Sequence, residues 1–183
     1  SLPGGGVGER HLIRKSQPMC DWDFLFEAAG PGSTYVFSPQ AHSALVEVIN
    51  RLDYSRIGVH DWYVYALARA IGLTWVIGEE PTLEYRQHGG NVQGANSGSG
   101  ARDARMEKLR NGFYRNQFIL TARAAQQVGA FDAPRRIELA QILRELEADS
   151  QWARLRFALR YRQIRRDRLE GIKLAAARFL RVW

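Results

Sequence analysis

Residues 33–52 read STYVFSPQAHSALVEVINRL, and the junction at Ser38-Pro39 divides them into two kinds of structure. STYVFS (33–38) is rich in β-branched and aromatic residues and predicts a strand. Ser38 ahead of Pro39 is an N-cap followed by proline at the first helical position, and helical spacing continues to Leu52. A strand that feeds a helix is the opening of an α/β arrangement.

Upstream, DFLFEAAG (23–30) has a helical pattern that stops at the breaker Gly30-Pro31-Gly32, and HLIRK (11–15) predicts a short strand. Downstream, IGVHDWYVYALARAIG (57–72) predicts a helix headed by Asp61 and ending near Gly72. LTWVI (73–77) and TLEYRQH (82–88) predict two more strands. Residues 89–105, glycine-rich and without apolar periodicity, predict a loop or linker. From about 106 onward three or four amphipathic helices are expected, with breaks near VGAFDAPRR (128–136) and Asp149-Ser150. The expected architecture is therefore α/β: a mixed sheet with flanking helices over 1–100, then a helical, basic appendage over 101–183.

The totals narrow the class. The chain has 183 residues and 45% apolar content, enough for one ordinary domain. Its single cysteine, Cys20, excludes an internal disulfide framework and fits a reducing compartment. No apolar run reaches the roughly 20 residues of a spanning helix, and the Gly-rich start is not a secretory signal. The net charge of +7 is uneven. Residues 151–183 hold nine Arg and one Lys against two acids, a net of +8, which leaves −1 for the rest. A near-neutral body carries a basic tail.

Asp61 is the first candidate for chemistry. Capping is the commoner reason for an acid at a helix start, because it satisfies free N–H groups and the positive end of the dipole. Capping does not require His60 before it or Trp62-Tyr63 after it; those flanks would wall a pocket in which a carboxylate acts as a general base. The second constellation is EEPTLEYRQHGGN (79–91). On a strand, Thr82, Glu84, Arg86 and His88 share one face, and Leu83 and Tyr85 take the other. Arg86 offers a fork for phosphate, and His88 could donate to phosphate or ligate a metal. An exposed edge strand with a solvated polar face is the plainer alternative. Asp21-Trp22-Asp23 matches a bare acid-x-acid metal pattern, but polar residues and Pro18 precede it, so no buried strand delivers it. Acids at the start of a short helix are the better reading there.

With these residues in view, AAGPGSTYVFS (28–38) and HDWYVYALARAIGLTWVIGEEPTLEYRQHGGNVQGAN (60–96) resemble the C-terminal half of bacterial family 2 glycosyltransferases, in particular rhamnosyltransferase-like members that build surface polysaccharide. The resemblance implies a GT-A fold and an inverting transfer of a sugar, such as rhamnose, from a nucleotide-sugar to a glycan or lipid-linked hydroxyl. It implies that Asp61 is the base, that Arg86 and His88, with Glu84, lie at the donor diphosphate or its metal, and that Trp62 lines the donor site. Gly30 and Gly32 match a loop where backbone passes close to substrate. A divalent cation, Mg2+ or Mn2+, belongs to the family through an acid pair on its first half. That half and its metal motif are missing here, so the chain alone is expected to have no or trace activity. A non-catalytic glycan-binding or membrane-surface module derived from the same fold is the alternative.

The tail, QWARLRFALRYRQIRRDRLEGIKLAAARFLRVW (151–183), places Trp152, Leu155, Leu159 and Ile164 near one helical stripe with Arg between them. Such a helix suits an anionic membrane surface, which would put a cytoplasmic protein at the inner membrane. Packing on the body with Arg snorkelling outward is the plainer alternative. No helix-turn-helix, zinc or aromatic-basic sheet pattern supports nucleic acid.

Overall fold

Ser38 accepts a hydrogen bond from the Ala41 N–H at 3.2 Å and starts helix α1, Pro39–Ile49, with proline in the first turn as the sequence predicts. The computed structural model describes residues 14–80, 99–161 and 164–183. Helix α2 is His60–Ala70, followed by α3 (Ser99–Arg110), α4 (Phe113–Val128), α5 (Ala133–Glu147), α6 (Gln151–Arg160) and α7 (Arg168–Phe179). Each is packed on its chain neighbour from α3 to α7, and α2 joins α1 to α4.

The expected GT-A-like mixed sheet is not there: among the described residues there is no strand. Residues 32–34 form a 3-10 turn, and 35–38 run extended without a ladder. LTWVI (73–77) likewise forms no regular element. Its alternation is real, with Leu73, Trp75 and Ile77 half-buried and Thr74 and Val76 exposed, yet no backbone hydrogen bond joins it to 35–38. What joins them is aromatic: Trp75 meets Tyr35 at 4.8 Å and Phe37 at 5.8 Å, both edge-on. Aromatic and β-branched residues fit a half-buried surface, and that fit does not require a pairing partner for the backbone. The expected strand over 82–88, and HLIRK up to residue 13, lie outside the described residues.

Two helical expectations also change. DFLFEAAG contributes only a 3-10 turn, Asp23–Leu25, because every residue from Trp22 to Glu27 is buried and a surface helix cannot bury all its faces. The linker expected over 89–105 is helical from Ser99 on, as part of α3. The later breaks fall where local chemistry puts them. Asp132 caps α5 by accepting from the Arg135 N–H at 3.0 Å, with Pro134 in the first turn, and Ser150 caps α6 by accepting from the Ala153 N–H at 3.2 Å.

Two apolar clusters run through the helices, a larger one around α4 and a smaller one of Leu45, Leu52, Tyr63, Leu67, Ala68 and Ala124. The larger takes in most of the aromatic residues. Phe118 of α4 is its hub, with ring centroids 5.0 Å from Phe26, 5.4 Å from Trp62 and 5.1 Å from Trp183. Trp183, the last residue, is therefore core, and it also meets Phe157 of α6 at 5.8 Å. Helix α2 lies at the centre, with Trp62, Tyr63, Tyr65, Ala66, Leu67, Ala68 and Ala70 all buried. Its alanines let neighbouring chains approach closely, and this central placement makes the head of α2 a fixed point in the fold.

Candidate functional site

Helix α2 begins without a side-chain cap at Val59, so its free N–H groups are met otherwise. Asp61, in its first turn, is half-buried. Its Oδ1 accepts from the Trp62 N–H at 2.8 Å, and its Oδ2 accepts from the Gly32 N–H at 3.3 Å. Two backbone donors, one from the helix and one from the loop over it, thus fix the carboxylate. The Gly30-Pro31-Gly32 loop can come this close only because Gly32 lacks a side chain: a Cβ there would stand 2.8 Å from the Asp61 Cβ.

The loop is held in turn. Tyr35 donates from its hydroxyl to the Gly30 carbonyl at 3.0 Å. Burial pushes the Tyr35 hydroxyl up to about 12, and the negative charge of Asp61 adds to the rise. Trp62, expected to line the donor site, is buried in the core and donates its indole N–H to the Phe24 carbonyl at 2.8 Å. His60 is exposed. The structure therefore brings Asp61, Gly32 and Gly30 together. Glu84, Arg86 and His88 lie outside the described residues.

One turn below Asp61, α2 carries a buried polar cluster that sequence reasoning missed. Asp23 is fully buried; the Tyr65 hydroxyl donates to its Oδ2 at 2.9 Å, and Arg69 approaches its Oδ1 at 3.2 Å. Arg166, from the basic tail, reaches Asp23 Oδ2 at 3.4 Å and Glu27 Oε2 at 3.3 Å, and its own N–H donates to Glu27 Oε1 at 2.6 Å. Burial pushes the Asp23 carboxyl up, against the pull of Arg69, the Tyr65 hydroxyl and Arg166. Burial also pushes the Tyr65 hydroxyl up, helped by the charge of Asp23. The available signal was the pair Asp23 and Glu27, acids four apart in an otherwise apolar run, which demands buried bases.

This cluster also answers the acid-x-acid pattern. Asp21 is exposed, and Asp23 is engaged by Tyr65, Arg69 and Arg166, so the pair does not form a ligand set. Among the described residues no three His, Cys, Asp or Glu stand together to hold a metal ion. Nor is any described helix long and apolar enough to cross a membrane.

The tail arginines expected at the surface divide. Arg166 and Arg178 are buried. Arg178 donates to the carbonyls of Glu145, Leu146 and Ala148 at 3.3, 3.3 and 2.6 Å, which closes the C-terminal end of α5, and to the Trp183 carbonyl at 3.1 Å. Of the expected stripe, Trp152 and Leu159 are exposed on α6, Leu155 is half-buried, and Ile164 lies beyond the helix and is buried.

Compared with known proteins, the chain is similar to the dTDP-rhamnosyl transferase RfbG of Shigella flexneri, 38% identical over 122 residues that cover 64% of this chain and 41% of that protein. The chain thus matches less than half the length of this curated relative. No protein-family model matches the sequence, and no solved structure matches it.

Proposed function

We propose that this chain is the catalytic-base part of a rhamnosyltransferase-like glycosyltransferase. It serves transfer of rhamnose from a dTDP-linked donor to a hydroxyl acceptor in surface polysaccharide synthesis. The similarity to a dTDP-rhamnosyl transferase carries the reaction class. The clamped carboxylate of Asp61 supports the assignment of the base within it.

In this reading Asp61 accepts the proton of the acceptor hydroxyl as that oxygen attacks the anomeric carbon. The bond from that carbon to the diphosphate oxygen breaks, its electron pair leaves with the nucleoside diphosphate, and the anomeric centre inverts. Backbone clamping suits a base, because the carboxylate needs no reorganisation when the acceptor arrives. Arg86 and His88 bind the donor diphosphate, with Glu84 on the same segment. Glycan or lipid-linked acceptors fit the same reading.

The test is release of dTDP from dTDP-rhamnose by a full-length transferase carrying this segment, with Arg86→Lys as the probe. Loss of the guanidinium fork should weaken donor binding on the order of tenfold or more. Unchanged donor affinity would remove Arg86 from the donor site. Absence of acceptor-dependent dTDP release by the parent enzyme would overturn the reaction class.

A further inference from the structure

Helix α7 has two apolar faces, and among the described residues one is buried and the other exposed. Gly171, Ala175 and Arg178 are buried, and the small residues at 171 and 175 let α7 settle against α6. Leu169, Ile172, Ala176, Phe179 and Leu180 recur at helical spacing on another side, and all are exposed: Leu169 at 68% and Leu180 at 69%. On the helical wheel Arg168 borders this stripe on one side and Lys173 on the other. Lys173 pairs with Glu170 at 2.9 Å. With Arg166 and Arg178 buried, Arg156, Arg160, Arg168, Lys173 and Arg181 still stand at the surface of the tail, where Arg156 and Arg160 lie 3.9 and 4.0 Å from Glu145 and Arg181 lies 3.5 Å from Asp149.

We propose that the outer face of α7 docks on an anionic lipid surface, with Leu169, Ile172, Phe179 and Leu180 entering the headgroup boundary. An isolated apolar residue on a protein surface is ordinary, but a four-residue stripe along one helix is a patch that needs a partner. The bordering bases choose among partners. An apolar stripe between basic residues matches the interface of an anionic bilayer, whereas a second apolar protein surface gains nothing from a basic rim. The surface differs from the α6 stripe that the sequence suggested, since Ile164 is buried and Leu155 half-buried. The α7 face is exposed and bordered by bases whether or not the chain serves a transferase.

The test is co-sedimentation of the 183-residue chain with vesicles of phosphatidylcholine alone or phosphatidylcholine mixed with phosphatidylglycerol. Binding should require the anionic lipid and weaken as salt is raised. Leu169→Asp with Leu180→Asp, both exposed and so leaving the thermal transition unchanged, should reduce binding on the order of tenfold or more. Val36→Asp, at a position 94% exposed on a different segment, should bind like the parent. Absence of binding, equal binding to neutral vesicles, or full binding by the double variant would each overturn the proposal. So would a dimer in sedimentation equilibrium that the double variant dissolves, because the face would then belong to a second copy.

Discussion

The Gly32 N–H donates to Asp61 Oδ2 at 3.3 Å across 29 residues of sequence, with the Gly32 Cα hydrogen side turned to the Asp61 Cβ. A backbone loop and a carboxylate thereby form one unit at the head of α2, and whatever Asp61 does depends on the shape of that loop. The unit is closed from outside by Tyr35, whose hydroxyl holds the Gly30 carbonyl.

Gly32→Ala should therefore damage both stability and activity. The added methyl would lie 2.8 Å from the Asp61 Cβ, and relief requires the loop or the α2 head to move. A loss of about 1–3 kcal/mol in urea unfolding is expected. Gly30→Ala is the control, because its nearest neighbour would be Thr34 Oγ1 at an ordinary 3.7 Å. Equal stability of the two variants would remove the steric argument.

The tail should be inseparable from the body. Arg166→Met leaves Asp23 and Glu27 without their shared guanidinium in a buried setting, and about 3–5 kcal/mol of stability should go. Arg123→Met, whose pair with Glu147 is exposed on both sides, should cost under about 1 kcal/mol. Chemical denaturation of the two variants side by side decides the matter; similar midpoints would mean that the buried cluster carries no special weight.

Arg178 closes α5 through three carbonyls at once, a task for a planar fork. Burial lowers its guanidinium to about 10, yet it remains charged at neutral pH. Arg178→Lys should fail to restore the stability lost in Arg178→Met, with both about 2–4 kcal/mol below the parent in urea. Full rescue by lysine would show that charge alone suffices there.

Alkaline pH should unfold the chain from its tyrosines. Tyr35 and Tyr161 are both pushed up to about 12, by burial first and then by the charges of Asp61 and Glu145 respectively. Unfolded tyrosine ionises near about 10, so between those values the folded state binds more protons than the unfolded one. Their contribution is complete below about pH 10 and is lost as pH rises through about 12. The urea midpoint should fall above about pH 10, and Tyr35→Phe with Tyr161→Phe should flatten the fall. A level midpoint in the parent across that window would contradict the assignment.

Much of the helical part was legible in the sequence because caps are local chemistry. Ser38-Pro39 announces a helix start, and the breaks expected near VGAFDAPRR and Asp149-Ser150 fall where Asp132 and Ser150 cap the next helices. Strands are different, since pairing depends on a partner remote in sequence. The inward alternation of Leu73, Trp75 and Ile77 was readable, but it ends in an aromatic contact with Tyr35 and Phe37, without a ladder. The tail misled for a related reason. Arginine reads as surface unless its acceptors are known, and those of Arg166 lie 139 residues away on Glu27, while those of Arg178 are backbone carbonyls invisible to residue type. At the candidate site, Asp61, Gly30 and Gly32 could be named from resemblance, but the contact between Asp61 and Gly32 could not.

The central claim is that Asp61 is a base and more than part of a helix start. Asp61→Asn, in a full-length transferase carrying this segment, keeps the side-chain size and one carbonyl acceptor for the backbone clamp. Rhamnosyl transfer from dTDP-rhamnose should fall by about 10²–10⁴-fold, while dTDP affinity and the melting temperature stay near those of the parent. Transfer within about threefold of the parent, or a loss of the fold that accounts for the lost activity, would contradict the account and leave Asp61 as a structural residue.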